Sequence, residues 1–412
     1  MTDVSPLPPG GGFDDVRGRG FLTRTSLCDA WAWIDAQASS RPLAAETMAV
    51  GPVLAGRVLA ADAMAGADVP SRPLAATDGI AVAAGETLGA GSYTPVPLIQ
   101  ALPVSAGDPL PPWADAVLPH EGVEGLGPLV SALMPVPPGA GVDHVGAAAA
   151  AGAVVLPAGR VLRPADLGLL AALGRREVAV VRRPRVRVVL AGGPRGGGAE
   201  VLGTLLPPLV ARDGGCAAVC GPLPLDGPEF GDALTAPGAD VVLVAGRSGV
   251  GPDDAAPAAL AVAGRVECHG IALRPGGSAG LGDAGGVPVI LLPGEPGACL
   301  ATYDVLASRL VRRLAGLPWD APYGVGRAVT ARKLVSEIGF ADLYRVRRDG
   351  DGRLVPVASA AVGGLAAQAA ADGAVLIPAD SEGIPAGAEV RWWCYGAADA
   401  MVAPDLGEGD GP

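Results

Sequence analysis

The stretch ADVVLVAGRSGVGPDD (residues 239–254) is an apolar run that ends in a Gly/Ser-rich loop, and VPVILLPGEPG (residues 287–297) repeats this arrangement. The apolar parts, 241–245 and 287–292, have the length and the Val/Leu/Ile content of strands buried on both faces of a parallel sheet. In such sheets ligands bind where the carboxyl ends of strands meet loops, and glycines let backbone N–H groups approach an anion. We therefore expect a ligand site at these two loops.

Four charged side chains lie in or beside these loops: Asp253, Asp254, Arg274 in the segment ALRPGG, and Glu295. Carboxylates are the oxygen ligands that hard metal ions prefer, and an arginine or backbone N–H groups can hold a phosphate. The alternative for Asp254 is a structural role as the N-cap of the next helix. The stretch is thus a candidate ligand site, in which Asp254 is either a ligand-binding acid or a helix N-cap.

The rest of the chain alternates between two patterns. From residue 184, apolar strand-like runs alternate with helix-like segments over about 130 residues, which predicts a doubly wound parallel sheet. A helix capped by Ser26 or Thr25 is predicted, with Leu27, Trp31, Ile34 and Ala38 on one face, and a second is predicted from Pro164 to Gly174. Short β-like runs separated by Gly and Pro fill the regions before and after the sheet.

We therefore predict a multidomain α/β protein. It combines a doubly wound parallel-sheet domain with a β-rich insertion domain, a helical N-terminal domain and a small C-terminal β-barrel-like domain. The expected boundaries are a disordered tail 1–22, an N-terminal linker and dimerisation domain 23–68 with 158–183, an inserted β-rich domain 69–157, an α/β domain 184–317, a C-terminal β domain 318–400 and a disordered acidic tail 401–412.

Composition excludes several function classes. The net charge of −12 over 412 residues argues against general nucleic-acid binding, and Lys333 is the single lysine. The six cysteines contain no CxxC pair, which favours reduced, buried thiols over a zinc site. The N-terminal residues lack the apolar core of a signal peptide, and no apolar run is long enough to span a bilayer. We expect a cytoplasmic protein without membrane or nucleic-acid partners.

Several separated motifs, in order, resemble those of the molybdopterin molybdenumtransferase family (the MoeA type, related to the E domain of gephyrin). The resemblance covers roughly residues 26–398. The matching segments are RPLAATDGIAV (72–82), AGDPLPPWADAVLP (106–119), GAVVLPAGRVLRPADLGLLAALG (152–174), RRPRVRVVLAGG (182–193), GRSGVGPDD (246–254), LRPGG (273–277) and LPGEPGACLATY (292–303).

This resemblance implies a function and an assembly. The implied reaction is insertion of molybdate into the dithiolene of adenylylated molybdopterin, with Mg²⁺ and release of AMP. The implied assembly is a homodimer of four-domain subunits, in which the cleft lies between the sheet domain of one subunit and the small β domain of the other. A molybdoenzyme client is a further implied partner.

The resemblance also assigns residue roles. Asp78 and Asp254 correspond to catalytic acids, and Asp254 is also the expected metal ligand; for Asp78 a turn role before Gly79 is the alternative. Arg274 stands where the family has the first lysine of KPGKP, which keeps the charge and changes the phosphate geometry. The expected substrate-binding residues are Gly192, Arg195, Gly246, Ser248, Gly251, Arg274, Pro275, Pro293, Gly294, Glu295 and Pro296.

Several family positions are altered, which raises a second hypothesis. Removing a catalytic acid typically slows a reaction about 10²–10⁴-fold, so the alternative is a catalytically degenerate paralogue acting as a molybdopterin-binding carrier or scaffold. A competence/damage-inducible-type pterin-binding domain is a third, opposed by residues 26–160 and 325–398. The altered positions are Ala106, His144 or Val145, Ala147, Ala148, Gly193, Pro194, Gly277, Glu295 and Val362.

Overall fold

The computed structural model describes residues 14–125, 129–192, 198–318, 323–358 and 364–396. The expectations for Gly193, Pro194, Arg195 and Val362 concern residues outside these ranges. The chain divides into two compact units, one formed by Glu46–Val180 and the other by the remainder. Each unit is described by itself below.

The helices are mostly short. A π-helical turn, Tyr303–Ala307, joins the sixth and seventh helices into one continuous rod. Within the described residues, none of the helices has both the length and the hydrophobicity needed to cross a bilayer. The helices are α1 (Leu27–Ser39), α2 (Pro164–Ala172), α3 (Gly198–Arg212), α4 (Pro228–Thr235), α5 (Ala256–Ala263), α6 (Pro296–Thr302), α7 (Ser308–Leu314) and α8 (Leu365–Ala369).

The unit Glu46–Val180 is built from short strands in two- and three-stranded sheets, together with α2. Its sequence is broken by Gly and Pro every few residues, so no strand becomes long. Short 3₁₀ turns cover Pro52–Leu54, Ala84–Thr87 and His120–Gly122. The strands are β1 (Ala45–Ala49), β2 (Ala63–Met64), β3 (Leu74–Ala75), β4 (Gly79–Val82), β5 (Val96–Pro97), β6 (Leu102–Val104), β7 (Ala116–Leu118), β8 (Val123–Glu124), β9 (Ser131–Ala132), β10 (Val142–Asp143), β11 (Val154–Leu156) and β12 (Glu177–Val181).

The second unit contains the predicted sheet, with one difference. Its four central strands are parallel, in the order β14 (Cys216–Leu223), β13 (Arg185–Ala191), β15 (Val241–Ala245) and β19 (Val287–Leu292). Two antiparallel strands, β18 (Gly280–Ala284) and β16 (Arg265–His269), extend one edge. The sheet is therefore mixed at that edge, where the sequence predicts only parallel strands. Strand β17 (Leu273–Arg274) lies between β16 and β18 in the chain.

Helices cover both faces of this sheet, which is why its central strands are apolar throughout. Alternate residues of β15, such as Leu243 and Val244, point into separate cores. The core on one face includes residues of α1, α3 and α7, and the core on the other includes residues of α4 and α5. All five residues of β15 are buried, as predicted from the apolar run.

A last sheet is formed by the C-terminal residues and one strand from the preceding domain. β17 pairs in parallel with β22, so that Leu273 lies opposite Ala341 and Arg274 opposite Asp342. This pairing ties the RPGG loop to the C-terminal sheet. The strands are β20 (Gly324–Val329), β21 (Leu334–Val335), β22 (Ala341–Arg348), β23 (Leu354–Pro356), β24 (Gly373–Ile377), β25 (Gly383–Ile384) and β26 (Glu389–Cys394).

Two sequence expectations are wrong in detail. Residues 14–22 fall in the tail expected to be disordered, but they pack on the structure: Val16 is buried and the Gly18 N–H donates to the Val250 carbonyl at 2.9 Å. The cysteines were expected to be buried, yet Cys28 and Cys216 are exposed. Helix α1, by contrast, begins after the predicted cap, and the Ser26 side chain accepts a hydrogen bond from the Asp29 N–H.

Candidate functional site

The loops that follow β13, β15 and β19 converge at the carboxyl edge of the sheet, as predicted. Each begins with or near a glycine: Gly192, Gly246 and Gly294. Gly246 has a φ of 98°, in the region that favours glycine, and a Cβ there would lie only 3.2 Å from the Ala191 carbonyl oxygen. The loops surround a cavity of about 470 Å³. It is lined by Ala191, Gly192, Gly198, Ala199, Leu202, Gly246, Arg247, Ser248, Gly249, Asp254, Ser278, Pro293, Gly294, Glu295 and Ala298.

Asp254 contributes its carboxylate to this cavity. Its Oδ2 accepts a hydrogen bond from the Gly251 N–H at 2.9 Å and closes the loop. A Cβ at position 249 would lie 2.5 Å from that oxygen, so the carboxylate takes the space that glycine leaves. The structural alternative for Asp254 is wrong, because the N-cap residue of α5 is Ala255.

Asp253, the other acid of the pair, differs from its neighbour. It does not line the cavity of Asp254, its side chain is 85% exposed, and its Oδ2 lies 3.8 Å from Arg247 Nη1. Asp254 therefore faces this cavity, whereas Asp253 lines a second cavity, which shares Gly192 and Arg247 with the first.

Ser248 and His269 stiffen the same loop. Ser248 is buried, and its hydroxyl donates to the Leu292 carbonyl at 3.3 Å. His269 Nε2 lies 2.8 Å from the Ser248 carbonyl, which makes Nε2 the protonated nitrogen. Burial lowers the pKa of His269 from 6.5, so the neutral ring is favoured at pH 7.

Arg247 is a cavity residue that the sequence analysis did not single out. It has a φ of 56°, a backbone conformation that is uncommon outside glycine and often marks functional loops. Its side chain lines the cavity of Asp254 and also a second cavity of about 570 Å³, which shares Gly192 with the first. Its position within the GRSGVG loop is the sequence feature that could have identified it as a site residue.

Glu295 has a defined structural role. It is the N-cap of α6, and its carboxylate accepts hydrogen bonds from the N–H groups of Gly297 at 2.9 Å and Ala298 at 2.5 Å. These amides are where a helix offers its positive end to an anion. Glu295 thus places its own negative charge at the rim of the cavity. Pro293 and Gly294 line the cavity beside it, and Pro296 is the first residue of α6.

Arg274 is already paired with protein carboxylates. Its Nε and Nη2 donate to the two oxygens of Asp342 at 2.7 and 2.6 Å, and its Nη1 donates to Glu337 at 2.6 Å. Asp342 is fully buried and also accepts a hydrogen bond from the Ser336 hydroxyl. The hydrogen bond to Asp342 raises the pKa of Arg274. Pro275 follows it, and the ion pair adds to the β17–β22 pairing that joins the RPGG loop to the C-terminal sheet.

Asp78 belongs to the unit Glu46–Val180. It is exposed at the start of β4, and its Oδ1 accepts a hydrogen bond from the Ala106 N–H at 2.8 Å. It thereby joins the RPLAATDGIAV and AGDPLPP segments. This contact is with a segment 28 residues away, and both the turn role and the catalytic role expected for Asp78 stay predictions.

A second missed residue is Arg345 on β22. Its guanidinium is 3% exposed, and neither Nη1 nor Nη2 has a hydrogen-bond partner in the described ranges. Its Nε donates to Gln368, whose amide in turn donates to the Gly297 carbonyl at 3.2 Å, in α6. Its charge is compensated by the nearby Asp304 carboxylate and by the ring of Tyr395, whose centroid lies 5.9 Å from the Arg345 Cζ. The strand-like run ADLYRVRR contains three arginines, and the sequence pattern does not distinguish Arg345 from the other two.

The carboxylates of this site suit only one kind of metal binding. Within the described residues, no three His, Cys, Asp or Glu side chains form a group that could hold a metal ion. Asp254 is a single carboxylate, and both oxygens of Glu295 are engaged with α6. Mg²⁺ commonly keeps several waters and binds through one or two carboxylates plus ligand phosphates. The site fits that mode and does not form an all-protein cage.

The arrangement is suited to an anionic ligand. Glycine-rich loops expose backbone, Arg247 supplies positive charge, and Asp254 supplies one oxygen ligand. A phosphate-bearing molecule that brings a divalent cation would match each of these groups.

Family models match three parts of the chain. Residues 25–174 match the MoeA N-terminal region (domain I and II), residues 202–313 match a probable molybdopterin binding domain, and residues 327–395 match the MoeA C-terminal region (domain IV). The three regions occur in the order that the sequence motifs predict.

Curated relatives agree with these matches. Molybdopterin molybdenumtransferase 2 of Mycobacterium tuberculosis is 30% identical over 384 residues, which cover 84% of this chain and 93% of the relative. Molybdopterin molybdenumtransferase 1 of the same species is 34% identical over 249 residues, 57% of each chain.

Solved structures share the fold. The molybdopterin biosynthesis moeA protein of Pyrococcus horikoshii OT3 superposes with a TM-score of 0.74 at 24% identity, covering 90% of this chain and 100% of that one. A second Pyrococcus moeA structure gives a TM-score of 0.73 at 26% identity, covering 91% and 100%. The predicted multidomain α/β architecture is confirmed.

Proposed function

Because the chain belongs to the molybdopterin molybdenumtransferase (MoeA) family and acts in molybdenum cofactor biosynthesis, we propose that it inserts molybdate into adenylylated molybdopterin and releases AMP. The observation that carries the site assignment is the Asp254 carboxylate, which lines a cavity built from the glycine loops at the carboxyl edge of the sheet. The related proteins are named as transferases, which favours the enzyme over the degenerate carrier.

In this proposal the loops bind and orient the phosphates of the substrate. Gly192, Gly246, Gly251 and Gly294 leave room for the ligand at the strand ends, and Arg247 balances its negative charge. Ser248 and His269 keep the loop rigid, so little reorganisation is needed on binding. The surrounding loops are shaped by Arg274, Pro275, Pro293, Glu295 and Pro296.

We propose that Asp254 holds Mg²⁺ together with water and phosphate oxygens. The ion would neutralise charge on the phosphate that leaves with AMP. The neighbouring Glu295 is tied to α6 by two hydrogen bonds, which leaves Asp254 as the carboxylate for this task.

AMP release from adenylylated molybdopterin, molybdate and Mg²⁺ tests the proposal. We expect turnover by the unaltered protein and a loss of about a hundredfold or more in Asp254→Asn. Asp253→Asn is the matched control, because it removes the same charge from the adjacent aspartate, whose side chain is largely exposed. Bound pterin without AMP release would support the carrier instead, and equal losses in both variants would contradict the role of Asp254.

The remaining family features belong to the same proposal. Asp78 is proposed as a second catalytic acid, tested by Asp78→Asn in the same assay. We also propose, as the family resemblance implies, a homodimer, a molybdoenzyme client that receives the product, and a cytoplasmic location. Light scattering of the purified chain at several concentrations tests the dimer.

A further inference from the structure

Two arginines lie against the same aromatic ring at the RPGG loop. The Cζ atom of Arg274 is 4.9 Å from the centroid of Phe340, and that of Arg24 is 5.6 Å from it. Arg274 is neutralised by Asp342 and Glu337. The two arginines therefore differ in whether an acidic side chain neutralises their charge.

Arg24 has no ion pair within the described ranges. Its Nη1 donates to the Gly277 carbonyl, and its guanidinium lies 4.4 Å from the ring centroid of Phe21. Both contacts fix the position of the side chain and leave its charge uncompensated. Burial lowers the pKa of Arg24, as expected for a partly buried cation without an acidic neighbour.

The segment that carries Arg24 is bonded to the loops of the candidate site. The Gly18 N–H donates to Val250, in the loop that leads to Asp254. The Thr25 N–H donates to the Gly270 carbonyl at 2.9 Å, and the Thr25 carbonyl accepts from Ala272 at 2.8 Å. Arg24 is thus held at a fixed place by the backbone on both sides of it.

The guanidinium of Arg24 occupies the space of a missing side chain. A Cβ at Gly277 would lie 2.8 Å from Arg24 Nη1 and 3.4 Å from its Cζ. Gly277 precedes Ser278, which lines the cavity of Asp254. The Arg24 guanidinium therefore places a positive charge beside residue 277, although glycine itself has no side chain.

We propose that Arg24 is the oxyanion-binding cation of the RPGG loop. It takes a tetrahedral oxyanion, which is either a phosphate of the pterin substrate or molybdate, and this identity rests on the proposed function. A guanidinium offers several N–H donors in a plane that matches such an anion. Arg274 cannot serve in the same way, because Asp342 already engages two of its nitrogens.

Direct binding to the full chain tests this assignment and separates the two anions. Isothermal titration with inorganic diphosphate and, separately, with molybdate would compare the unaltered protein with Arg24→Gln. We expect about tenfold weaker binding of one of the two, since one charge-assisted hydrogen bond is lost. Loss for diphosphate identifies the phosphate, and loss for molybdate identifies the metal oxyanion. Unchanged binding of both, or no binding of either by the unaltered protein, would overturn the proposal.

Arg19→Gln is the matched control. It lies in the same segment, is exposed, and pairs with Asp14 away from the RPGG loop. Its anion affinity should equal that of the unaltered protein. If AMP release fails in every protein while Arg24→Gln still weakens anion binding, the proposed reaction is wrong and this assignment stands.

A rescue variant keeps the test independent of folding. In Arg24→Ala, the space above residue 277 is empty, and the next atom near a Cβ there is the Leu273 carbonyl at 3.5 Å, an ordinary contact. Arg24→Ala with Gly277→Lys should therefore restore the affinity to within about threefold of the unaltered protein. Gly277→Lys with Arg24 present should crowd the guanidinium and weaken binding. A double variant no better than Arg24→Ala would contradict the proposed role.

Discussion

Arg24 and Arg274 lie against one ring, and they differ in what surrounds their charges. Arg274 is held by a buried carboxylate and a second acid, whereas Arg24 is held by an aromatic ring and a backbone carbonyl. A cation that is already paired fixes a loop, and a cation without an acidic partner is available to a ligand. The role of an arginine therefore depends on which groups its guanidinium contacts, and its charge alone does not determine that role.

We expect the largest effect at the buried ion pair of Arg274 and Asp342. Asp342→Asn removes the charge that holds Arg274 and leaves the guanidinium without its main partner. Breaking a buried pair costs about 3–5 kcal/mol, which corresponds to a fall of about 4–6 °C in the unfolding temperature of a protein this size. Differential scanning calorimetry measures it. A change of less than about 2 °C would show that Arg274 is not anchored by Asp342.

The second prediction concerns the uncompensated charge near His269. The ring of Phe21 packs edge-on against His269 at 4.9 Å and also contacts Arg24. Burial, with a smaller contribution from Arg24, lowers the pKa of His269 from 6.5, and the hydrogen bond to Ser248 and the charges of Asp15 and Asp254 oppose this. NMR titration should give a pKa below 6.5 and a higher one in Arg24→Gln.

The same shift sets a direction for stability. The unfolded chain binds a proton at His269 before the folded chain does, so the stability contribution is present above pH 6.5 and falls as the pH is lowered below that value. His269→Gln, which can still donate to the Ser248 carbonyl, should remove this part of the pH dependence. A pKa at or above 6.5 would contradict the description of this pocket.

The smallest effect is expected at Glu337. This acid also binds Arg274, but its side chain is 65% exposed, so the solvent screens the interaction. Glu337→Gln should change the stability by about 0.2–1 kcal/mol, far less than Asp342→Asn. Calorimetry of the two variants side by side measures the difference. Equal losses would mean that burial does not distinguish the two partners of Arg274.

The sequence predicts the sheet and its loops because those features are local. Continuous apolar runs at 241–245 and 287–292 required burial on both faces, and the glycines that follow them mark the strand ends. The antiparallel strands β16 and β18 escaped prediction because they are short, and β18 contains two glycines in the run GLGDA. Asp254 was found from its place after a glycine loop.

The roles of the arginines were not predictable in the same way. Arg274 and Asp342 are 68 residues apart, and their pairing depends on the parallel contact of β17 with β22. Arg24 lies in an N-terminal stretch without periodicity, and its contact with Gly277 spans 253 residues. Whether a charge is paired is a property of tertiary contacts, which composition and motif spacing do not contain.

The most direct test of the central claim measures two quantities on Arg24→Gln and Arg274→Lys: the dissociation constant for the oxyanion, with inorganic diphosphate and molybdate as probes, and the unfolding temperature. Arg274→Lys keeps the charge and loses the two-pronged contact with Asp342. We expect Arg24→Gln to weaken binding about tenfold at an unchanged unfolding temperature, and Arg274→Lys to lower the unfolding temperature while affinity is largely kept. The reverse pattern, with Arg274→Lys losing affinity and Arg24→Gln losing only stability, would contradict both expectations.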